Sequence, residues 1–296
     1  MKIHLDCIPC YIDQALEASR YAKMSEDERW DTIKAVCKEL SFVDRDSPSA
    51  QISQRVHKIV RDRSKVEDPY IDKKKEGNKK AREYLEDFEE SVEISSKPLK
   101  NAAKLAAVGN IVDFGPRKDF NIKAELKKSL KEEFALDHWS SFKKKLDQAN
   151  AILYFSDNSG EIIYDLLFMR HLLDHRYVDK IDLVVKDGPF LNDVTENDVE
   201  KLGIDKIEGI NLKTVDNGDG GKSPTLWSSE VRNWIEDYDL VISKGQANYE
   251  GLSGYSYPNL FFLLAIKCPL IEKDIGIEEG KKVLLNASRL QGKRPT

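Results

Sequence analysis

Cysteine is scarce in this chain: four in 296 residues, Cys7, Cys10, Cys37 and Cys268. So few thiols at this length exclude a disulfide framework as the source of stability. Positive charge is not in excess either. Lys and Arg number 47 against 52 Asp and Glu, a formal net charge of −5. That argues against a nucleic-acid partner, whose footprint would be basic. No apolar stretch approaches the ~20 residues of a membrane span, so no membrane partner is expected. The opening Met1-Lys2-Ile3-His4-Leu5-Asp6 holds no apolar signal region, and the cytoplasm is the expected location. The glycine signatures of nucleotide folds are missing as well: no Gly-x-Gly-x-x-Gly follows an apolar run, and no Gly-x-x-x-x-Gly-Lys-Ser/Thr occurs. What is present, 40% hydrophobic and 33% charged residues, suffices for one large or two small domains.

The first half reads as helix. Apolar residues recur at helical spacing over Tyr11–Tyr21, and Pro98 opens a helix over Leu99–Val108. Ser25 with Glu28 three residues on forms a capping box for Glu26–Leu40. Ser53–Asp62 and Lys73–Phe88 are further helices. The lysine run Lys73-Lys74-Lys75 with Lys79-Lys80, set among Glu83, Glu86 and Asp87, reads as a solvated, ion-paired face. From Asn150 the pattern changes. Short β-prone runs, Ala151–Phe155, Ile181–Val185, Ile207–Val215, Leu240–Ser243 and Lys282–Leu285, alternate with helical patterns at Ile162–Leu173, Pro224–Asp237 and Pro258–Ile266. Alternation of this kind predicts an α/β core, a mostly parallel sheet covered on both faces. We divide the chain into a helical region, 1–149, and an α/β region, 150–296, with a soft boundary because the helices could wrap the sheet.

Open α/β sheets bind ligands beyond the carboxyl ends of their strands, so the residues after each run carry the functional signal. After Ala151–Phe155 comes Ser156-Asp157-Asn158-Ser159-Gly160. Adjacent carboxylate and amide oxygens suit a hard divalent cation; glycine allows close backbone approach; the following helix directs its N-terminus at the same place. Helix capping and turn formation account for the same residues equally simply. After Ile181–Val185 a second pair, Asn192-Asp193, precedes Thr195, an N-cap candidate. Two such pairs after consecutive strands could face each other across a crevice. After Leu240–Ser243 comes Lys244-Gly245-Gln246-Ala247-Asn248, where a lysine could hold a phosphate oxygen. The loop Asp216–Gly221 suits a lid, a second substrate contact or a surface turn. In Val108–Gly115, Asn110 and Asp113 share a face if the segment is helical. Cys7 and Cys10 have zinc-type spacing without a second pair, and fit either a zinc or redox role or plain thiols at a helix start.

With Cys7-Ile8-Pro9-Cys10, Gly109-Asn110-Ile111-Val112-Asp113, Asp157-Asn158-Ser159-Gly160-Glu161, Asn192-Asp193-Val194-Thr195 and Lys244-Gly245-Gln246-Ala247-Asn248 in this order, the chain resembles the damage-control phosphatases, once catalogued as domain of unknown function 89. The cysteine pair is similar to the archaeal, single-domain branch. The resemblance implies a Rossmann-like three-layer α/β/α core with an N-terminal helical region. It implies a divalent metal, Mn²⁺, Mg²⁺, Co²⁺ or Ni²⁺, on Asp157, Asn158 and Asp193, and hydrolysis of phosphate monoesters of small metabolites such as sugar phosphates or phosphopantetheine-like compounds. Gln246 and Ala247 depart from the eukaryotic sugar-phosphate branch, which has an acidic residue and leucine there. Lys244 joins the three metal-binding residues as a catalytic candidate. Asn110, Asp113, Ser159, Gly160, Glu161, Asn192, Asn248 and Lys267 are candidates for substrate contact. The rival readings are an S-adenosylmethionine-dependent carboxyl methyltransferase, a non-catalytic metal- or phosphometabolite-binding protein, and a zinc-stapled interaction protein.

Overall fold

In the computed structural model of the protein, which describes residues 1–109 and 122–290, six helices lie within the first described stretch. They are α1 (Cys7–Tyr21), α2 (Glu26–Leu40), α3 (Ser49–Ser64), α4 (Ile71–Glu86), α5 (Glu89–Glu93) and α6 (Pro98–Val108). Next come α7 (Ile122–Lys131), β1 (Leu136–Asp137), α8 (Trp139–Leu146), β2 (Ala151–Phe155), α9 (Glu161–Leu173), β3 (Lys180–Lys186), α10 (Glu196–Leu202) and β4 (Ile210–Val215). The remainder is α11 (Ser229–Asp237), β5 (Leu240–Lys244), α12 (Gly245–Leu252), β6 (Leu260–Ala265), α13 (Pro269–Ile275) and β7 (Lys282–Asn286). The seven strands form one sheet in the order β1-β7-β6-β5-β2-β3-β4. Every neighbouring pair is parallel except β6 with β7.

The strands read as continuous apolar runs because both faces are covered. Alternate residues go to opposite sides: Ile152 and Tyr154, with Leu240 and Ile242, join a core under α6, α8 and α9. Leu153 and Phe155, with Val241 and Phe262, join one under α11, α12 and α13. The architecture is the expected three-layer α/β/α sandwich. A small separate core of Tyr11, Ala15, Val36, Ile52 and Val56 holds α1, α2 and α3 together. Across position 150 contacts are dense: α6 packs along α9, α4 also packs against α9, and β1 pairs with β7 at the sheet edge.

Local signals behave as chemistry dictates. Both halves of the Ser25–Glu28 capping box are formed, and Thr195 caps α10 through a second box with Asp198. Three expectations are corrected. Pro258–Ile266 is not a helix; its centre is β6, inside the sheet. The strand expected from Ile207 starts at Ile210, after Gly209 at φ +83°. The helix expected from Pro224 starts at Ser229, capped by Ser228. Among the described residues no helix is long and apolar enough to cross a membrane.

Candidate active site

From β2 the chain winds outward through β3 and β4, then crosses back to β5 on the other side of β2. Connections diverge between β2 and β5, so a crevice forms beyond their carboxyl ends. Ser156–Gly160 and Lys244–Asn248 both stand there. Gly245 begins α12 at φ +74°, and a Cβ on it would overlap the Asp157 carboxylate. Glycine is required at this point by conformation and by space alike.

The second amide–carboxylate pair is brought to the first by a short antiparallel bridge between Asn158 and Asp193. Ser159 N–H donates to Asn192 O at 2.8 Å, and Val194 N–H to Asp157 O at 2.9 Å. Residues opposed in this way have Cα atoms about 4.5–5.5 Å apart. Asp157, Asn158 and Asp193, distant in sequence, thus become neighbours. Asn158 Nδ2 donates to Asp157 Oδ2 at 2.8 Å, which leaves its carbonyl oxygen as the atom able to ligate a cation. Asp157 and Asp193 are each only 5% exposed. Burial pushes the Asp157 carboxyl well above the usual carboxylate range, and the nearby Glu161 and Asp193 push it further; Lys267 and Lys244 pull it back. Ser159 Oγ is buried without a hydrogen-bond partner, a state that disfavours folding by about 1–3 kcal/mol unless a ligand satisfies it. Among the described residues no group of three or more His, Cys, Asp or Glu is disposed to hold a metal. The donor set here is instead two carboxylates and one amide.

Lys244 is placed otherwise than a phosphate-holding role requires. It is fully buried, and its ammonium donates to Ala106 O at 2.8 Å, to Asp165 Oδ1 at 2.7 Å and to Glu161 Oε1. These three bonds use all its protons. Burial alone would lower its pKa, but Asp165 and Glu161 raise it above the ordinary lysine value. Glu161, read as a substrate contact, is the other half of this brace; burial pushes its carboxyl up to about 7 against the pull of Lys244. The cluster joins α6, α9 and β5 beneath the crevice. Asn248 is likewise engaged, donating to Ser156 O at 2.7 Å and Lys244 O at 2.9 Å. It ties the ends of β2 and β5 together.

The backbone amides of Ser159 and Gly160 are also taken, the first by Asn192 O and the second by Asn78 Oδ1. Lys267, after β6, acts on the Asp157 carboxylate together with Lys244. Asn192 supplies its carbonyl to the bridge. Asn110 and Asp113 lie outside the described residues. The Asp216–Gly221 loop is held at two points: Asn217 N–H donates to Asp187 Oδ1 at 2.9 Å, and Arg61 pairs with Asp219 at 2.6 Å. Cys7 is half-buried and Cys10 exposed at the start of α1, both free thiols.

Several residues that hold the site escaped sequence reading. Lys74, inside the run read as solvated, is 1% exposed and pairs with Asp68 at 3.2 Å and Asp198 at 3.1 Å. Its neighbours do follow the surface pattern, Lys73 and Lys80 with Glu76 and Lys79 with Glu83. Asp198 completes the Thr195 capping box of α10, the helix that follows Asp193, so α4 braces the second loop through Lys74 and the first through Asn78. A signal was available: Gly77-Asn78 interrupts a charged helix, and an interior glycine implies close approach. The Gly77 backbone lies 3.4 Å from where a Cβ on Gly160 would stand. Asp165 was legible too, one helical turn from Glu161 on the same face.

Comparison with known proteins places the whole chain in a family. Residues 3–283 match the family described as the damage-control phosphatase ARMT1-like domain. A damage-control phosphatase of Archaeoglobus fulgidus is 31% identical over 288 residues, covering 96% of this chain and 98% of the relative. A damage-control phosphatase of Pyrococcus horikoshii is 25% identical over 295 residues, covering 96% and 98%. The crystal structure of a DUF89 family protein from Pyrococcus horikoshii shares the fold, with a TM-score of 0.84 at 24% identity over 97% of this chain and 99% of that one. By match length and shared fold, the chain belongs to the damage-control phosphatase ARMT1-like domain family.

Proposed function

We propose that this protein is a phosphatase that hydrolyses monoesters of small phosphorylated metabolites with the help of a divalent cation of the Mn²⁺, Mg²⁺, Co²⁺ or Ni²⁺ class. The observation that carries the reading is the Asn158–Asp193 bridge, which gathers Asp157, Asn158 and Asp193 at the switch point of the sheet. The names of the relatives support the reaction class. The donors fit such an ion: two crowded, buried carboxylates favour positive charge between them, and hard oxygen ligands suit these metals.

Phosphoryl transfer asks a protein for alignment and charge neutralisation. When bound by Asp157, Asn158 and Asp193, the cation supplies a Lewis acid for a phosphoryl oxygen. Lys267 balances negative charge on the substrate. Gly245 leaves the space that the Asp157 carboxylate occupies. Lys244, Glu161 and Asp165 hold the floor rigid, and Asn248 keeps the β2 and β5 loops in register. Asp157→Asn is expected to abolish divalent-cation-dependent hydrolysis of p-nitrophenyl phosphate while the far-ultraviolet circular dichroism stays unchanged. Full activity in that variant would end the assignment.

A further inference from the structure

A cavity of about 270 Å³ lies between α1, α3 and the segments that follow β3, β5 and β6. Lys186, the last residue of β3, is the one basic side chain among the described residues lining it. It is half-buried, with its ammonium 5.9 Å from the centre of the Phe190 ring. Among the described residues that ammonium has no hydrogen-bond or ion-pair partner. Gln54 faces the same space from α3. Its side chain lies against Gly218, where a Cβ would stand 2.6 Å from it. Its amide too is without a partner among the described residues.

The other polar side chains of the wall are engaged with protein. Tyr11 Oη bonds Ser49. Gln14 donates to Cys10 Sγ at 3.3 Å and accepts from Ser53 Oγ at 3.4 Å. Gln246 donates to Cys268 Sγ at 3.5 Å and accepts from Lys267 N–H. Asn248 donates to the Ser156 and Lys244 carbonyls. Asp6 pairs with His4 at 2.8 Å. Burial pushes the Glu250 carboxyl up, while Ser49 and the Met1 ammonium pull it back. Lys186 and Gln54 therefore remain to meet a guest, with three ammonium protons, two amide protons and one acceptor oxygen between them.

The sheet ties Lys186 to the candidate site. Its N–H donates to Val194 O at 3.0 Å, and Val194 N–H donates to Asp157 O at 2.9 Å. Val194 is thus a rung between Asp157 and Lys186, and two strand spacings set their Cα atoms about 10 Å apart. Phe155 and Val184, paired in the β2–β3 register, face the core under α11, α12 and α13. Two residues further on, Asp157 and Lys186 fall on that same side. A substrate whose phosphoryl group sits at Asp157 can therefore extend its next atoms toward Lys186. Resting on the phosphatase reading above, we infer that Lys186 and Gln54 determine specificity: the ammonium and the amide donate to oxygens on the organic part of the substrate. A half-buried ammonium facing a hydrocarbon loses water without replacement, which is unfavourable. A site built to bond an oxygen rejects the analogue that lacks it.

The test is kcat/KM of the full chain, with Mn²⁺, for ribose 5-phosphate and for pentyl phosphate, which has the same number of carbons without the ring oxygen and hydroxyls. A hydrogen bond from a charged donor corresponds to about tenfold or more, so the unmodified chain should prefer the ribose ester by at least about tenfold. Lys186→Met should lose at least about tenfold on ribose 5-phosphate, chiefly in KM, and stay within about twofold on pentyl phosphate. Lys186→Arg should restore part of the loss, and Gln54→Leu should show a smaller loss, about two- to tenfold, on the ribose ester alone. Pentyl phosphate is the internal control, because a fold defect or a contact to the phosphoryl group would lower both esters together. Equal losses on the two esters in Lys186→Met, or no preference in the unmodified chain, overturn the inference and leave the phosphatase reading standing. Should neither ester be hydrolysed, the phosphatase reading fails, and calorimetric binding of the same two esters decides the role of Lys186. Binding of ribose 5-phosphate weakened about tenfold by Lys186→Met, with pentyl phosphate unchanged, upholds it; equal binding removes it.

Discussion

Replacing Lys244 with methionine tests whether this lysine is a brace or a phosphate ligand. Its side chain is 0% exposed, and its partners Glu161 and Asp165 are 1% and 0% exposed. Methionine fills a similar volume but removes the cation, stranding two carboxylates and the Ala106 carbonyl without their donor. Removing one member of a buried ion cluster destabilises by about 3–5 kcal/mol. At roughly 2 °C per kcal/mol for a chain of this size, the thermal midpoint should fall by about 6–10 °C. Replacing the whole cluster, Lys244→Met with Glu161→Gln and Asp165→Asn, removes the stranded charges and should recover most of that loss, because neutral isosteres avoid the desolvation penalty. Urea denaturation followed by tryptophan fluorescence reads both variants, and p-nitrophenyl phosphate hydrolysis is measured on each. The brace argument expects the triple variant to regain stability and part of its activity. Lys244→Met within 1 kcal/mol of the unmodified chain (about one RT ln 5), or a triple variant that is stable yet inactive, would refute it.

Gly245→Ala should lose about 1–2 kcal/mol from its left-handed backbone and at least tenfold in activity, since displacement of the Asp157 carboxylate disturbs alignment; paired denaturation and turnover measurements check this. Lys74→Met leaves Asp198 and Asp68 without their shared cation and should destabilise by about 3 kcal/mol, measured in urea; Lys73→Met, at the surface, should change stability by less than about 0.5 kcal/mol. The Glu133 carboxyl, hydrogen-bonded by Lys100 and Lys104, is held down to about 2. Its folded pKa lies below its unfolded one, so its contribution is complete above the ordinary glutamate range and disappears as pH falls toward about 2. Glu133→Gln should therefore flatten the acid limb of the stability curve between about pH 5 and 2, and an unchanged limb would remove this pair from the account.

The sheet was largely legible because parallel, doubly covered strands appear as short apolar runs between polar turns. β2 matches its expected span, and β3, β5 and β7 differ by a residue at one or both ends. β6 was not legible for the same reason. Leu260-Phe261-Phe262-Leu263-Leu264-Ala265 has no alternation, and Pro258 ahead of it imitates a helix start; periodicity alone does not separate a buried strand from a buried helix segment. β1, two residues long, exists only because β7 offers it an edge. Lys74 shows the limit for charges: its neighbours obey helix-surface spacing, and only the packing of α4 against the second loop buries it.

Composition, capping residues and the order of polar clusters determined by themselves that this chain makes an α/β sandwich with oxygen-bearing loops at its strand ends, because those signals are local and survive without neighbours. Tertiary structure alone decided which of those loops meet, that Lys244 points into a buried carboxylate pair, and that α4 braces the site from behind. Those outcomes depend on where separate elements cross, and a side chain's charge acquires its role only from the groups that packing places within a few ångströms of it.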